Sequence, residues 1–215
     1  EATLHAIRLA RGHARRGKIA KFEGAYHGNH DAVEISVAPP LDLAGPSHAP
    51  SPVPTAGGIS PAAASETLIL PFDDEEAVER LVATHAHDLA CVLFDPKAGL
   101  LDMRPEFARA VRDITRHHGA LLIFDEIPNS LGRTGTFFTF EKFGVVPDMV
   151  VIGKARFGKL KAATAVIAMG KRRFVSAKLQ AVPDSKLQGT FRRMLLAYCR
   201  GRPHPTRGRA HVYDS

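Results

Sequence analysis

Cysteine is nearly missing from this chain: Cys91 and Cys199 are the only two in 215 residues, which excludes a disulfide framework and a cysteine-built zinc site. No apolar run approaches the roughly 18 residues that a membrane span needs, so no membrane partner is expected. No charged-then-apolar leader precedes a small-residue cleavage site, and Glu1 reads as an internal start. A cytoplasmic, reduced setting fits these absences. The eleven histidines include His27 with His30, His85 with His87, and His117-His118, but none of these pairs has a cysteine or acidic companion at zinc-site spacing. No metal is expected.

What remains is ordinary in bulk, with 45% apolar and 24% charged residues, the balance of a globular domain with a sizeable core. The formal charge of +7 points to nucleic acid only until it is located. Arg192, Arg193, Arg200, Arg202, Arg207 and Arg209 stand against Asp214 alone, so most of the excess lies in residues 191–215. That Arg-, Pro- and Gly-rich stretch reads as a solvated basic tail, and a nucleic-acid partner is not expected.

Upstream of the tail the periodicity is regular. Residues 2–16 carry a helical pattern that stops before Gly17, and Lys18 to Phe22 alternates as a short strand. Residues 37–65 are rich in Pro, Ala, Ser and Gly without a sustained period, and are expected to form one long loop. Beyond it come a strand at Thr67 to Leu70, a helix capped by Asp73 or Asp74 and running to about Thr84, and a buried strand at Leu89 to Phe94. A helix from Pro105 to His118 stops at Gly119, two further strands end at Asp125 and Gly153, and a last apolar run spans Thr164 to Met169. Strands alternating with helices imply βαβ units, hence an α/β fold with a mainly parallel sheet.

Two of those strands end in chemistry. Leu121-Leu122-Ile123-Phe124 delivers the carboxylate of Asp125, and Met149-Val150-Val151-Ile152-Gly153 delivers the amine of Lys154. In parallel α/β sheets ligands collect at the carboxyl ends of the strands. An acid and an amine side by side there suit pyridoxal phosphate: the lysine forms a Schiff base with its aldehyde, and the acid keeps the ring nitrogen protonated. Each also has a plainer use, Lys154 as a solvated strand end and Asp125 as a helix cap.

Four segments recur together in one order: Lys18-Ile19-Ala20-Lys21-Phe22-Glu23-Gly24-Ala25-Tyr26-His27-Gly28, Phe124-Asp125-Glu126-Ile127, Gly132-Arg133-Thr134-Gly135, and Pro147-Asp148 through Lys154. Together they resemble the class III aminotransferases, pyridoxal-phosphate enzymes of fold type I. The opening of the chain is most similar to the glutamate-1-semialdehyde 2,1-aminomutase subgroup, and Gly132 to Phe138 to the ω-transaminases. The resemblance implies a three-layer fold-type I large domain over residues 1–190, truncated, with the small C-terminal domain absent. It implies pyridoxal 5'-phosphate as cofactor and a small amino donor or acceptor as substrate. Lys154 would be the catalytic Schiff-base lysine. Tyr26 would stack on one face of the ring, Ile127 (where the family usually has Val) would press on the other, and Asp125 would pair with the ring nitrogen. His27 would join this cofactor site. Thr190, in Leu187-Gln188-Gly189-Thr190, would reach the cofactor phosphate of the neighbouring subunit, which implies a homodimer. Asp95 and Glu126 would support the site or contact substrate.

The chain also departs from that family. The family's phosphate-binding Ser-Gly-Thr falls just before Glu1, its Glu-Pro stands here as Asp95-Pro96, and its glycine-rich turn after the lysine becomes Ala155-Arg156-Phe157-Gly158-Lys159-Leu160-Lys161. These departures motivate an alternative expectation, a catalytically silent remnant that keeps only the fold or a dimer surface.

Overall fold

A computed structural model describes residues 2–96 and 103–153, together with the backbone of 165–168. Six strands form one sheet in the order β2-β1-β3-β4-β5-β6. They are β1 (Lys18–Phe22), β2 (Thr67–Leu70), β3 (Leu89–Phe94), β4 (Leu121–Asp125), β5 (Met149–Ile152) and β6 (Ala165–Ala168). Every pairing from β2 across to β5 is parallel, as the alternation of strands and helices predicts, and β6 closes the edge antiparallel to β5.

Strand burial follows from side-chain alternation, since successive residues point to opposite faces. On one face Val92 and Phe94 of β3, Leu122 and Phe124 of β4, and Val150 and Ile152 of β5 meet helices α3 (Glu75–Thr84) and α4 (Pro105–His117). On the other face Cys91, Leu93, Ile123, Met149 and Val151 meet α1 (Ala2–Ala14) through Ala2, Ala6, Ile7 and Ala10. The small residues of α1 let the helix lie close against the sheet. The result is three layers, helix over sheet over helix. Under the strand ends the first core is aromatic: Phe22 packs edge-on against Phe94 (5.3 Å between centroids) and Phe107 (5.6 Å), and Phe94 lies tilted on Phe124 (4.7 Å). Each of these rings is fully buried and contributes about 1.5–3 kcal/mol.

The helix ends obey local chemistry. Asp74 is the cap of α3, its Oδ1 accepting from Ala77 N at 3.0 Å, while Asp73 adopts a left-handed φ of 64°. Helix α4 stops at His117, with His118 as its C-cap and Gly119 at a φ of 69°. Helix α1 ends at Ala14, two residues short of the expected boundary, because Arg15 turns left-handed at a φ of 54°.

Within the stretch 37–65, expected as one long loop, Pro61–Ser65 forms a five-residue helix, α2. Ser60 caps it through Ala63 N and Pro61 occupies the first turn, a start signal masked by the Pro- and Ala-rich surroundings. A four-residue helix at Phe140–Phe143, α5, is too short to leave a period. Among the described residues no helix is long and apolar enough to cross a membrane.

Candidate active site

Parallel register brings the strand ends level. Phe94 pairs with Phe124, so Asp95 and Asp125 leave the sheet beside each other, and Asp125 pairs with Val151, two residues before Gly153. The loop that follows β1 crosses the same edge and carries Tyr26 and His27.

Asp125 is buried, with 3% of its surface exposed, and both of its oxygens are engaged. Oδ2 accepts from His27 Nδ1 at 2.9 Å and Oδ1 accepts from Ile127 N at 3.1 Å. An ionised carboxylate has no proton to give, so Nδ1 of His27 carries it. The second bond is the short Asx-type turn that an acid makes to the backbone two residues on, and it turns the carboxylate toward the sheet edge. Such an acid, buried and held from two sides, keeps acceptor capacity for one more N–H donor.

His27 is itself pinned. Its backbone oxygen accepts from Thr3 Oγ1 of α1, and its Nε2 has no hydrogen-bond partner among the described residues. Gly24 (φ 74°) and Gly28 (φ 108°) bracket the segment, and a Cβ on Gly28 would stand 3.3 Å from Thr3 Oγ1. Left-handed backbone and close approach both require glycine there. Between them Ala25 and His27 are buried, whereas Tyr26 is 51% exposed, a large aromatic presented at the sheet edge.

Ile127 is half-buried against the core on the α1 side. Glu126 is fully buried, and burial pushes its carboxyl up to about 7 from 4.5 despite hydrogen bonds from Thr139 and Phe140. Asp95 is half-buried, and Oδ1 takes a long 3.5 Å contact from Asn129 Nδ2. The structure therefore brings His27, Asp125, Glu126 and Ile127 into one cluster, sets Asp95 at its flank and presents Tyr26 beside it. Lys154 and Thr190 lie outside the described residues.

Lys21 has a role here that its strand pattern conceals. Its side chain is fully buried and Nζ donates to Ile35 O at 2.6 Å, bracing the far end of the loop that carries Tyr26 and His27. Burial lowers its pKa to about 8, partly offset by Glu23 and Glu34. Thr3 was equally hidden, since nothing local marks a helix threonine as the anchor of a residue 24 positions away.

The three-layer sheet and its acid-bearing edge are those of fold-type I pyridoxal-phosphate enzymes. The profile of the class III aminotransferase family matches residues 1–172, and the chain belongs to that family. Among its curated relatives is glutamate-1-semialdehyde 2,1-aminomutase from Sulfurihydrogenibium azorense, 39% identical over 163 residues, covering 74% of this chain and 36% of the relative. The same enzyme from Ignicoccus hospitalis is 40% identical over 157 residues, covering 72% and 35%. An ω-transaminase from Sphaerobacter thermophilus superimposes with a TM-score of 0.69 at 35% identity, over 79% of this chain and 38% of its own. A glutamate-1-semialdehyde aminomutase from Pseudomonas aeruginosa gives 0.61 at 29% identity, over 76% and 34%, and a variant of that enzyme was solved in complex with PMP. The chain spans about a third of the length of the curated relatives it matches. The family is pyridoxal-phosphate dependent, and nothing in the described residues or the relatives supports the silent-remnant alternative.

Proposed function

We propose that this chain is part of the cofactor-binding large domain of a pyridoxal-phosphate-dependent aminotransferase or 2,1-aminomutase, acting on a small amino donor or amino-carbonyl substrate. The observation that carries the proposal is the buried His27–Asp125 pair at the carboxyl end of β4. A protonated ring nitrogen needs an anionic acceptor that is fixed and shielded from water, and Asp125 fits that need in burial, orientation and spare acceptor capacity.

When bound, pyridoxal phosphate supplies an electron sink for bonds broken at the substrate carbon that bears nitrogen. The residues of this chain do the rest. The Asp125 carboxylate would accept from the protonated ring nitrogen, and His27 keeps that carboxylate aimed by donating from Nδ1. Tyr26, exposed at the sheet edge, provides the aromatic surface for one face of the ring, and Ile127 the apolar contact for the other. Lys154 would hold the cofactor through Nζ and, as a free amine, would serve as the proton-transfer group at the reacting carbons. Thr190 reaches the phosphate bound by a second copy, in a homodimer. Asp95 supports the flank of the site through the 126–130 turn. Residues 1–190 form the part of the large domain present and 191–215 a basic tail, in a cytoplasmic enzyme.

The test is spectroscopic. Protein mixed with the cofactor develops an absorbance band near the visible edge, and Lys154→Ala abolishes it. A wild-type protein without such a band refutes the proposal.

A further inference from the structure

Glu126 has no duty in the scheme above, yet it is among the most completely enclosed polar residues at the sheet edge. Its backbone N–H donates to Val151 O at 2.8 Å, tying the end of β4 to β5. Its carbonyl accepts from Asn129 N (3.1 Å) and Ser130 N (2.9 Å), closing the turn that follows. Its side-chain Oε1 accepts from Phe140 N at 2.9 Å, reaching across 14 residues to the start of α5. One residue thus joins β5, the 126–130 turn and the 131–140 loop.

The other neighbour of Asp125 holds the same target. Phe124, immediately before Asp125, packs edge-on against the ring of Phe140 at 6.2 Å, and Phe140 in turn stacks on Phe138 at 5.2 Å. Asp125 therefore sits between two residues that grip Phe140, one by its ring and one by its N–H. The loop they secure is a tight turn: Leu131 N donates to Phe137 O (2.7 Å) and Gly132 N to Thr136 O (3.1 Å). Gly132 and Gly135 both have a left-handed φ. The Glu126 carboxyl links this loop to the strand end, and Phe138 N donates to Glu141 Oε1 at 3.0 Å.

We propose that Glu126 is a positioning residue for Asp125, clamping Phe140 together with Phe124 so that the end of β4 and the 131–140 loop are held as one unit. The clamp rests on the reading of Asp125 as the partner of the ring nitrogen. A neutral clamp suits that duty. A second anion beside Asp125 would compete for the same proton, and burial keeps the Glu126 carboxyl protonated to about pH 7, with Asp125 as the charged group that faces it. Its Oε2 has no partner among the described residues, so ionisation would place charge on a buried oxygen that no donor there meets, with Oε1 alone held by Phe140 N–H.

Two variants separate the clamp from general packing. Glu126→Gln keeps a neutral acceptor for Phe140 N–H; Glu126→Leu removes it and leaves that N–H orphaned. Amide hydrogen exchange of residues 126–140 is measured on the cofactor-free protein, and cofactor affinity by titrating the visible band. With Glu126→Leu, exchange in the loop is expected to quicken about tenfold and affinity to fall about tenfold, the scale of one lost buried hydrogen bond. With Glu126→Gln both stay within about threefold of wild type on the same scale. Once the intrinsic pH dependence of exchange is removed, wild-type loop protection falls as pH rises from 4.5 to about 7, because the acid of the opened loop ionises first, and levels off above that, whereas the Gln variant is flat. Unchanged loop exchange in Glu126→Leu overturns the clamp, as does a Gln variant whose protection still falls over that range; should the Leu variant not fold, the Gln profile decides alone. Exchange needs no cofactor, so failure of the cofactor reading shows separately, as a wild type without a band.

Discussion

Asp148→Ala is the substitution that most directly tests how the two functional strands are kept in register. Asp148 stands at the mouth of β5, where Oδ2 accepts from Arg112 Nη1 and from Leu122 N, both at 2.8 Å, while its own N–H donates to Leu122 O at 2.9 Å. That knot joins α4, β4 and β5 just before Ile123 pairs with Met149, and so determines that Asp125 lies level with Val151. Removing the carboxylate strands the Arg112 guanidinium, on a residue only 8% exposed, and orphans the Leu122 N–H. Breaking one side of a buried ion pair costs about 3–5 kcal/mol; because a third of the Asp148 side chain meets water, the lower end applies, about 3 kcal/mol. For a domain of this size that is a fall in melting temperature of roughly 10 °C. The chain has no tryptophan, so far-UV circular dichroism during thermal and urea unfolding is the suitable probe. Adding Arg112→Met to Asp148→Ala removes the stranded charge and should restore about 2 kcal/mol. A loss under about 1 kcal/mol in the single variant, or no recovery in the double, refutes the argument that this ion pair holds the register.

Two further outcomes follow from the site. Asp125→Asn removes the anion that the ring nitrogen requires while preserving shape; turnover should fall by about 10²–10³ or more with the fold intact, and retention of wild-type turnover would remove Asp125 from the chemistry. Lys21 has a folded-state pKa lowered to about 8 from 10.5, so between those values the unfolded chain binds more protons than the folded one, and this group makes stability rise with pH across that window. Urea unfolding at pH 7.5 and 10 should show the rise in wild type and its absence in Lys21→Met; equal slopes in both would mean that Lys21 is not held buried at Ile35 O.

The sheet was legible because its strands are short apolar runs ended by glycine, proline or an acid, and because burial on both faces leaves few other ways to read Leu89 to Phe94 or Leu121 to Asp125. The acid of the site was legible for the same reason, since a charge directly after an apolar strand has to emerge at the strand's end. What stayed hidden was tertiary. Glu126 looks like a second edge carboxylate in the sequence, but its side chain points into the core because the 131–140 loop brings an unpaired N–H to it. Lys21 alternates like an outward residue, yet the loop it braces folds back over it. The direction of β6, antiparallel to β5, is likewise not carried by its short apolar pattern.

The site coheres through a relay that no single motif contains. Thr3 in the first turn of α1 donates to the His27 carbonyl, His27 donates to Asp125, and Asp125 accepts in turn from Ile127. In the proposed reading these stations serve different parts of one cofactor: the resemblance assigns Asp125 to the ring nitrogen and Ile127 to the ring face. A rigid ligand gripped at several points rewards a protein whose grips are mutually fixed, because misplacement of one by about 1 Å can cost about 10² in rate. Hydrogen bonds at the backbone of His27 and at its side chain fix two of them through a single residue. That is the physical reason for a histidine there, where a hydrophobic residue would pack as well: packing alone holds a carboxylate's neighbours, but only a donor from a residue that is itself anchored to α1 sets the direction of the carboxylate relative to that helix.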